Sequence, residues 1–228
     1  MREAPAIHSV DDTLARDLRG AGALGILAFI VIAAIGPVLE PLAGVLVLAW
    51  VTASRTPWRE IGYVRPESWG RTASAGIVFG CALKLVLKAI VMPFLGADPI
   101  NPAYHYLAGN TAALPGIALY ILVAGGFNEE TVFRGFAFER LGKLLGPGVR
   151  AKTAIVLLTS VWFALVHYPE QGLAGVEQAV ITGLVFGTIF AVTGRIWFLM
   201  IAHAAFDLMA IAMIYGNLES TIAHLAFR

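Results

Sequence analysis

The sequence predicts an all-α bundle of about seven membrane-spanning helices. Three observations carry that prediction. Of 228 residues, 58% are hydrophobic and only 14% are charged, against about half and a quarter in a soluble domain. Mean hydropathy is +0.78, and apolar stretches of span length recur along the chain. The loops between them alternate between basic and free of Lys and Arg, the signature of a chain threaded back and forth through a bilayer.

The same composition excludes other classes. Disorder needs more charge and fewer large apolar residues. Sixteen basic residues balance fifteen acidic ones to a net +1, which leaves no excess for nucleic-acid phosphates. The single cysteine, Cys81, has no partner for an internal disulfide or a cysteine metal cluster.

Taken in order, residues 1–20 are polar and of mixed charge. They lack the short basic start of a secretory signal and read as a cytoplasmic tail. Residues 21–53 hold Glu40 as their only charge. That length exceeds the roughly 20 residues of one span and falls short of two. Gly36-Pro37 interrupts it, and proline there breaks or kinks a helix, so the segment reads as a hairpin of two short or tilted helices. Counted as one span, it lowers the total to six and sends the tail outside.

Residues 54–72 form a basic cytoplasmic loop. The core at 73–216 carries apolar stretches at 73–95, 112–133, 153–168, 175–193 and 196–216, and 217–228 form a C-terminal tail. The loops 54–72 and 134–152 are basic, whereas 96–111 and 169–174 contain no Lys or Arg. Seven spans with a cytoplasmic N-terminus place every basic loop on one side, as expected for a multi-pass protein of a bacterial-type inner membrane. Gly183 and Gly187 make a G-x-x-x-G pattern in the sixth span, which close helix packing explains.

Charges at membrane depth are expensive and therefore informative. They are Glu40, Lys84, Lys88, Glu129, Glu130, His167, His203 and Asp207. Lys84 and Lys88 share one face; Lys84 is placed to snorkel to the interface and Lys88 to pair with Glu40. At 1.5 Å per residue, His203 and Asp207 lie roughly 12 and 18 Å in from Arg195, His167 roughly 22 Å in from Lys152, and Glu129 and Glu130 roughly 15 Å in from Arg140. Polar groups of three spans thus converge near mid-membrane.

Carboxylates and imidazoles at one depth can activate water and stabilise an oxyanion. Adjacent Glu129 and Glu130 cannot both ionise cheaply. Arg134, four residues on, faces Glu130 and makes a structural ion pair with it, which leaves Glu129 as the base. Each feature also has a bland reading: a buried clasp for Glu130–Arg134, an interfacial position for His167 and a satisfied hydrogen bond for His203–Asp207. Their coincidence at one depth weighs against all three. The chain has no H-E-x-x-H zinc helix and no G-x-S-x-G elbow, two signatures of other hydrolases. Ser160 lacks framing glycines, and Asp207 has no second Asp at depth.

Glu129-Glu130-Thr131-Val132-Phe133-Arg134-Gly135 resembles the E-E-x-x-x-R motif of the CAAX-protease and bacteriocin-processing family of intramembrane proteases. Phe163 to His167 resembles its F-x-x-x-H motif, and His203 to Asp207 its third, a His followed four residues later by Asn or Asp. Trp58-Arg59-Glu60-Ile61-Gly62-Tyr63 resembles a segment often seen before the core, so the likeness covers roughly residues 55–215.

The resemblance implies a helical protease with a catalytic cavity inside the bilayer. Its site would comprise Glu129, Glu130, His167, His203 and Asp207, with Arg134 structural. Glu129 and His167 would activate water, and His203 and Asp207 would stabilise the oxyanion. Ionised Asp207 cannot donate a hydrogen bond as Asn would; it would be protonated, orient His203 or ligate a metal. The family has also been described as metalloproteases, and Glu129, His167, His203 and Asp207 are a donor set for zinc or a similar divalent metal; a metal-free site is favoured. The expected partners are the lipid bilayer and a membrane-associated protein or peptide substrate. The other functions weighed are a catalytically idle scaffold or immunity protein and a small proton-coupled transporter.

Overall fold

The computed structural model of the protein describes residues 10–35, 39 and 42–226. It is a bundle of helices, and among the described residues there is no strand. The helices are α1 (Val10–Arg19), α2 (Ala23–Ile35), α3 (Leu42–Ala53), α4 (Trp69–Phe94), α5 (Thr111–Leu145), α6 (Val149–Thr193), α7 (Trp197–Tyr215) and the short α8 (Glu219–Ala223).

Four of these, α4 to α7, are long and apolar enough to cross a membrane, and the bent pair α1–α2 makes five if counted as one span. Helix α6 has 45 residues, roughly 67 Å if straight and about twice the hydrocarbon thickness. It is broken at Gly172, whose φ of 62° and ψ of −155° are not helical and suit glycine. The two legs fold back on each other. A Cβ at Gly183 would lie 3.0 Å from Ser160, one at Gly187 would lie 3.4 Å from Val156, and Lys152 Nζ donates to the Ala191 carbonyl at 2.9 Å. These contacts step away from the turn in equal register, as an antiparallel hairpin requires. The glycines of the G-x-x-x-G pattern are its packing face.

At the N-terminal end the structure has the two short helices expected of residues 21–53. Helices α2 and α3 have 13 and 12 residues, roughly 20 and 18 Å, each shorter than the roughly 30 Å hydrocarbon core. Gly36-Pro37 and Glu40 lie outside the described residues, as do residues 1–9. The polar terminal segments are also less loop-like than expected. Residues 10–19 form α1, and Arg140 donates to the Arg19 carbonyl at 2.7 Å and to that of Gly20, satisfying carbonyls at the α1 C-terminus. Most of the expected loop 134–152 is the continuation of α5, and the C-terminal tail contains α8 with Glu219 buried.

Helices α4 and α7 run side by side in the same direction. Trp69 meets Trp197 edge to face at 5.2 Å; further along, Gly76 meets Ile201 and Gly80 meets Ala202. A Cβ at Gly80 would lie 2.0 Å from the Ala202 carbonyl oxygen, so only glycine permits this approach. The start of α4 is fixed by Ser68, whose hydroxyl accepts from the Arg71 N–H, an N-cap. Trp50, Ile61, Phe133, Phe136 and Phe163 form the main core, which clamps α3 and the Trp58–Ile61 turn against α5.

Candidate active site

Helix α5 presents the acidic pair. From Leu122 to Phe136 it winds as a wide π-helix, a distortion frequent at functional sites. Its depth is set from below by the Trp58–Tyr63 segment. The Tyr63 hydroxyl lies 2.7 Å from Thr131 Oγ1, and Thr131 donates to the Phe127 carbonyl at 2.6 Å. Gly62 holds a positive φ of 83° and accepts from the Ile196 N–H at 3.0 Å. The same segment therefore braces α5 and the start of α7.

Glu130 is sealed in the protein, with 0% of its side chain exposed, and Arg134 has 2%. Glu130 Oε1 accepts from Arg134 Nη1 at 2.8 Å and faces His203 Nδ1 at 2.7 Å. The guanidinium also lies 4.6 Å from the ring centre of Phe163, a cation–π contact. Arg134, expected to pair with Glu130 at the end of the fourth span, makes that pair as a core residue.

Glu129 faces the other way, towards a cavity of about 410 Å³ that His167, His203 and Asp207 also line. Glu129 Oε2 is 3.3 Å from His203 Nε2, and Glu129 Oε1 is 4.0 Å from His167 Nε2. His203 Nε2 is 3.6 Å from Asp207 Oδ2. His167 Nδ1 lies 2.7 Å from the Phe163 carbonyl oxygen. A carbonyl only accepts, so Nδ1 carries hydrogen, and in the neutral ring Nε2 is left with its lone pair towards Glu129. Asp207 is the most open of the set, with its side chain 32% exposed. All six residues singled out in the sequence thus meet at one wall of the cavity or directly behind it.

The two lysines behave otherwise than expected. Lys84 does not snorkel; it is buried in the cavity wall and donates to Gln178 Oε1 at 2.7 Å. Lys88 Nζ lies 3.3 Å from Glu219 Oε1 on α8, while its expected partner Glu40 is outside the described residues. Ser160 is spent on packing, its hydroxyl donating to the Val156 carbonyl at 2.6 Å.

Three site features escape a search for ionisable groups. Asn128 Oδ1 accepts from the Gly44 N–H at 2.6 Å in the first turn of α3, where backbone donors lack helical partners. Its signal was a polar side chain at depth beside Glu129. Gly125 lies directly under Asp207, where a Cβ would come within 2.6 Å of Oδ2. Gln178 faces Lys84 from the second leg of α6.

The donor chemistry of Glu129, His167, His203 and Asp207 suits a divalent metal, but the arrangement does not fit one as it stands. Among the described residues, no three His, Cys, Asp or Glu side chains are grouped to hold an ion, and no step below is routed through a metal.

No curated protein and no solved structure matches the chain. Residues 111–209, which contain all three motifs, match the family model described as Type II CAAX prenyl endopeptidase Rce1-like. Over that segment the chain is similar to the Rce1-like, CAAX-protease type of domain, the family that its three motifs resemble.

Proposed function

We propose that the protein is an intramembrane endopeptidase that hydrolyses a peptide bond of a membrane-associated protein or peptide with water activated by Glu129 and His167. The observation that carries this reading is the position of Glu129 between two imidazoles at the wall of the cavity. The 4.0 Å between Glu129 Oε1 and His167 Nε2 is too long for a direct hydrogen bond and leaves room for a water that contacts both. Glu129 takes a proton from that water as it attacks the carbonyl carbon, and His167 shares the proton through its free Nε2. The proton then passes to the amide nitrogen as the C–N bond breaks and the amine leaves.

His203 serves the developing oxyanion. Its Nδ1 is held by Glu130, so its orientation is fixed before substrate arrives, and Nε2–H of the imidazolium donates to the oxyanion. Asp207, 3.6 Å from that Nε2, orients His203 and supports its charge. This role needs no hydrogen on the carboxylate, which accounts for Asp where Asn also occurs. Catalysis is metal-free. The N-terminus is cytoplasmic, in a bacterial-type inner membrane.

The substrate is found by replacing the active chain with Glu129→Gln in cells and comparing the termini of membrane-bound proteins. At least one protein should keep a terminal segment that the active chain removes. Identical termini, at equal amounts of inserted protein, would refute the protease reading.

A further inference from the structure

The cavity that holds the catalytic cluster also contains two ammonium groups of opposite circumstance. Lys88 is matched. It donates to the Pro99 carbonyl and lies 3.3 Å from Glu219 Oε1, a carboxylate that also accepts the Asn101 N–H at 3.0 Å. Lys84, one turn earlier on α4, is not matched in this way. Its side chain is buried, with 9% of the residue exposed. It is held by the neutral amide oxygen of Gln178 at 2.7 Å and by the face of Phe206, 4.8 Å from its ring centre. The nearby carboxylates of Asp207 and Glu219 lie against other cations, His203 at 3.6 Å and Lys88 at 3.3 Å, and act on Lys84 through space.

A buried ammonium compensated by one amide is a costly arrangement. Lys84, Gln178 and Phe206 all line the cavity, and Phe206 adjoins Asp207 in sequence. The positive charge therefore lines the same cavity as Glu129, His167, His203 and Asp207. Phosphate would demand several donors, whereas a single ammonium next to an apolar ring suits one carboxylate attached to an apolar peptide.

We propose that Lys84 is a carboxylate-binding subsite of this cavity, taking either the C-terminal carboxylate of the peptide substrate or an Asp or Glu side chain within it. The inference rests on the protease reading and deepens it: a carboxylate anchored on Lys84 sets which peptide bond reaches Glu129. Cleavage then falls at a fixed spacing from the substrate's negative charge.

The test measures binding without turnover, in the Glu129→Gln chain in detergent micelles. The probes are Ac-Ala-Leu-Leu-Ala with a free C-terminus, the same peptide as its C-terminal amide, and the amide Ac-Ala-Leu-Glu-Ala-NH2. One of the two carboxylate peptides should bind at least ~10-fold more tightly than the plain amide, and which one does so identifies the source. The preference should vanish in Lys84→Met and survive in Lys84→Arg. Gln178→Glu, which supplies Lys84 with an internal carboxylate, should abolish it too and guards against a folding defect in the lysine variant. Equal binding of all three peptides, or a preference that survives Lys84→Met, would overturn the subsite. A carboxylate preference in the Glu129→Gln chain, with no protein processed by the unsubstituted chain in cells, would sink the protease reading alone; processing by the unsubstituted chain without the preference would sink the subsite alone.

Discussion

His203 Nδ1 lies 2.7 Å from Glu130 Oε1, the same oxygen that accepts from Arg134 at 2.8 Å. A sealed ion pair thus holds one imidazole in place from behind. Glu130→Gln keeps the size of the side chain and removes its charge. Processing should fall about 10–100-fold, the usual effect of removing an orienting partner, with the protein still inserted. A full rate in that variant would show that Glu130 does not position His203.

Arg134 has a different consequence. Arg134→Met strands the Glu130 carboxylate in the core, and breaking a buried pair costs about 3–5 kcal/mol. The variant should unfold at a clearly lower temperature in detergent, and Glu130→Gln combined with Arg134→Met should recover part of that loss.

Asp207 is proposed to orient His203 and support its charge from 3.6 Å. Asp207→Asn retains an acceptor and should keep the rate within about tenfold, whereas Asp207→Ala should lose about 10²-fold, as when one oxyanion-stabilising group is removed. Gly125→Ala should also slow processing, because its Cβ would crowd Asp207 Oδ2 at 2.6 Å. Equal rates in the Asn and Ala variants would remove Asp207 from the site.

How much of this was legible in the sequence depended on the kind of interaction. The motif residues could be read because polar groups four apart within apolar spans have few explanations, and their depths follow from helix rise alone. The partner of Lys88 could not be read, because Glu219 sits in a polar terminal stretch that only tertiary packing turns into α8. The Glu130–Arg134 pair could be read from its i, i+4 spacing, but not the contact of Arg134 with Phe163, which depends on how α5 and α6 pack. The close approach of α4 to α7 was visible in principle, since Gly76 and Gly80 also have G-x-x-x-G spacing. The shortness of α2 and α3 was visible too, since 21–53 is too short for two full spans.

Gly80→Val tests that approach. Its added atoms would meet the Ala202 backbone, so the helices must part, at a cost of about 1–3 kcal/mol. Thermal unfolding should shift down and processing with it, since Phe206, Asp207 and Lys84 all lie on these two helices.

Metal dependence has its own measurement. The proposed chemistry uses protein groups and water, so chelator-treated protein should process substrate at the untreated rate. Stoichiometric zinc by elemental analysis, with loss of activity on its removal and recovery on its return, would overturn the metal-free mechanism.

The central claim is that Glu129, His167 and His203 together hydrolyse a peptide bond. The purified protein in lipid vesicles, given the substrate found by comparing termini, tests it most directly. Glu129→Gln, His167→Ala and His203→Ala should each cut the hydrolysis rate by about 10²–10⁴-fold while remaining folded and inserted. Full hydrolysis by all three variants would contradict the account.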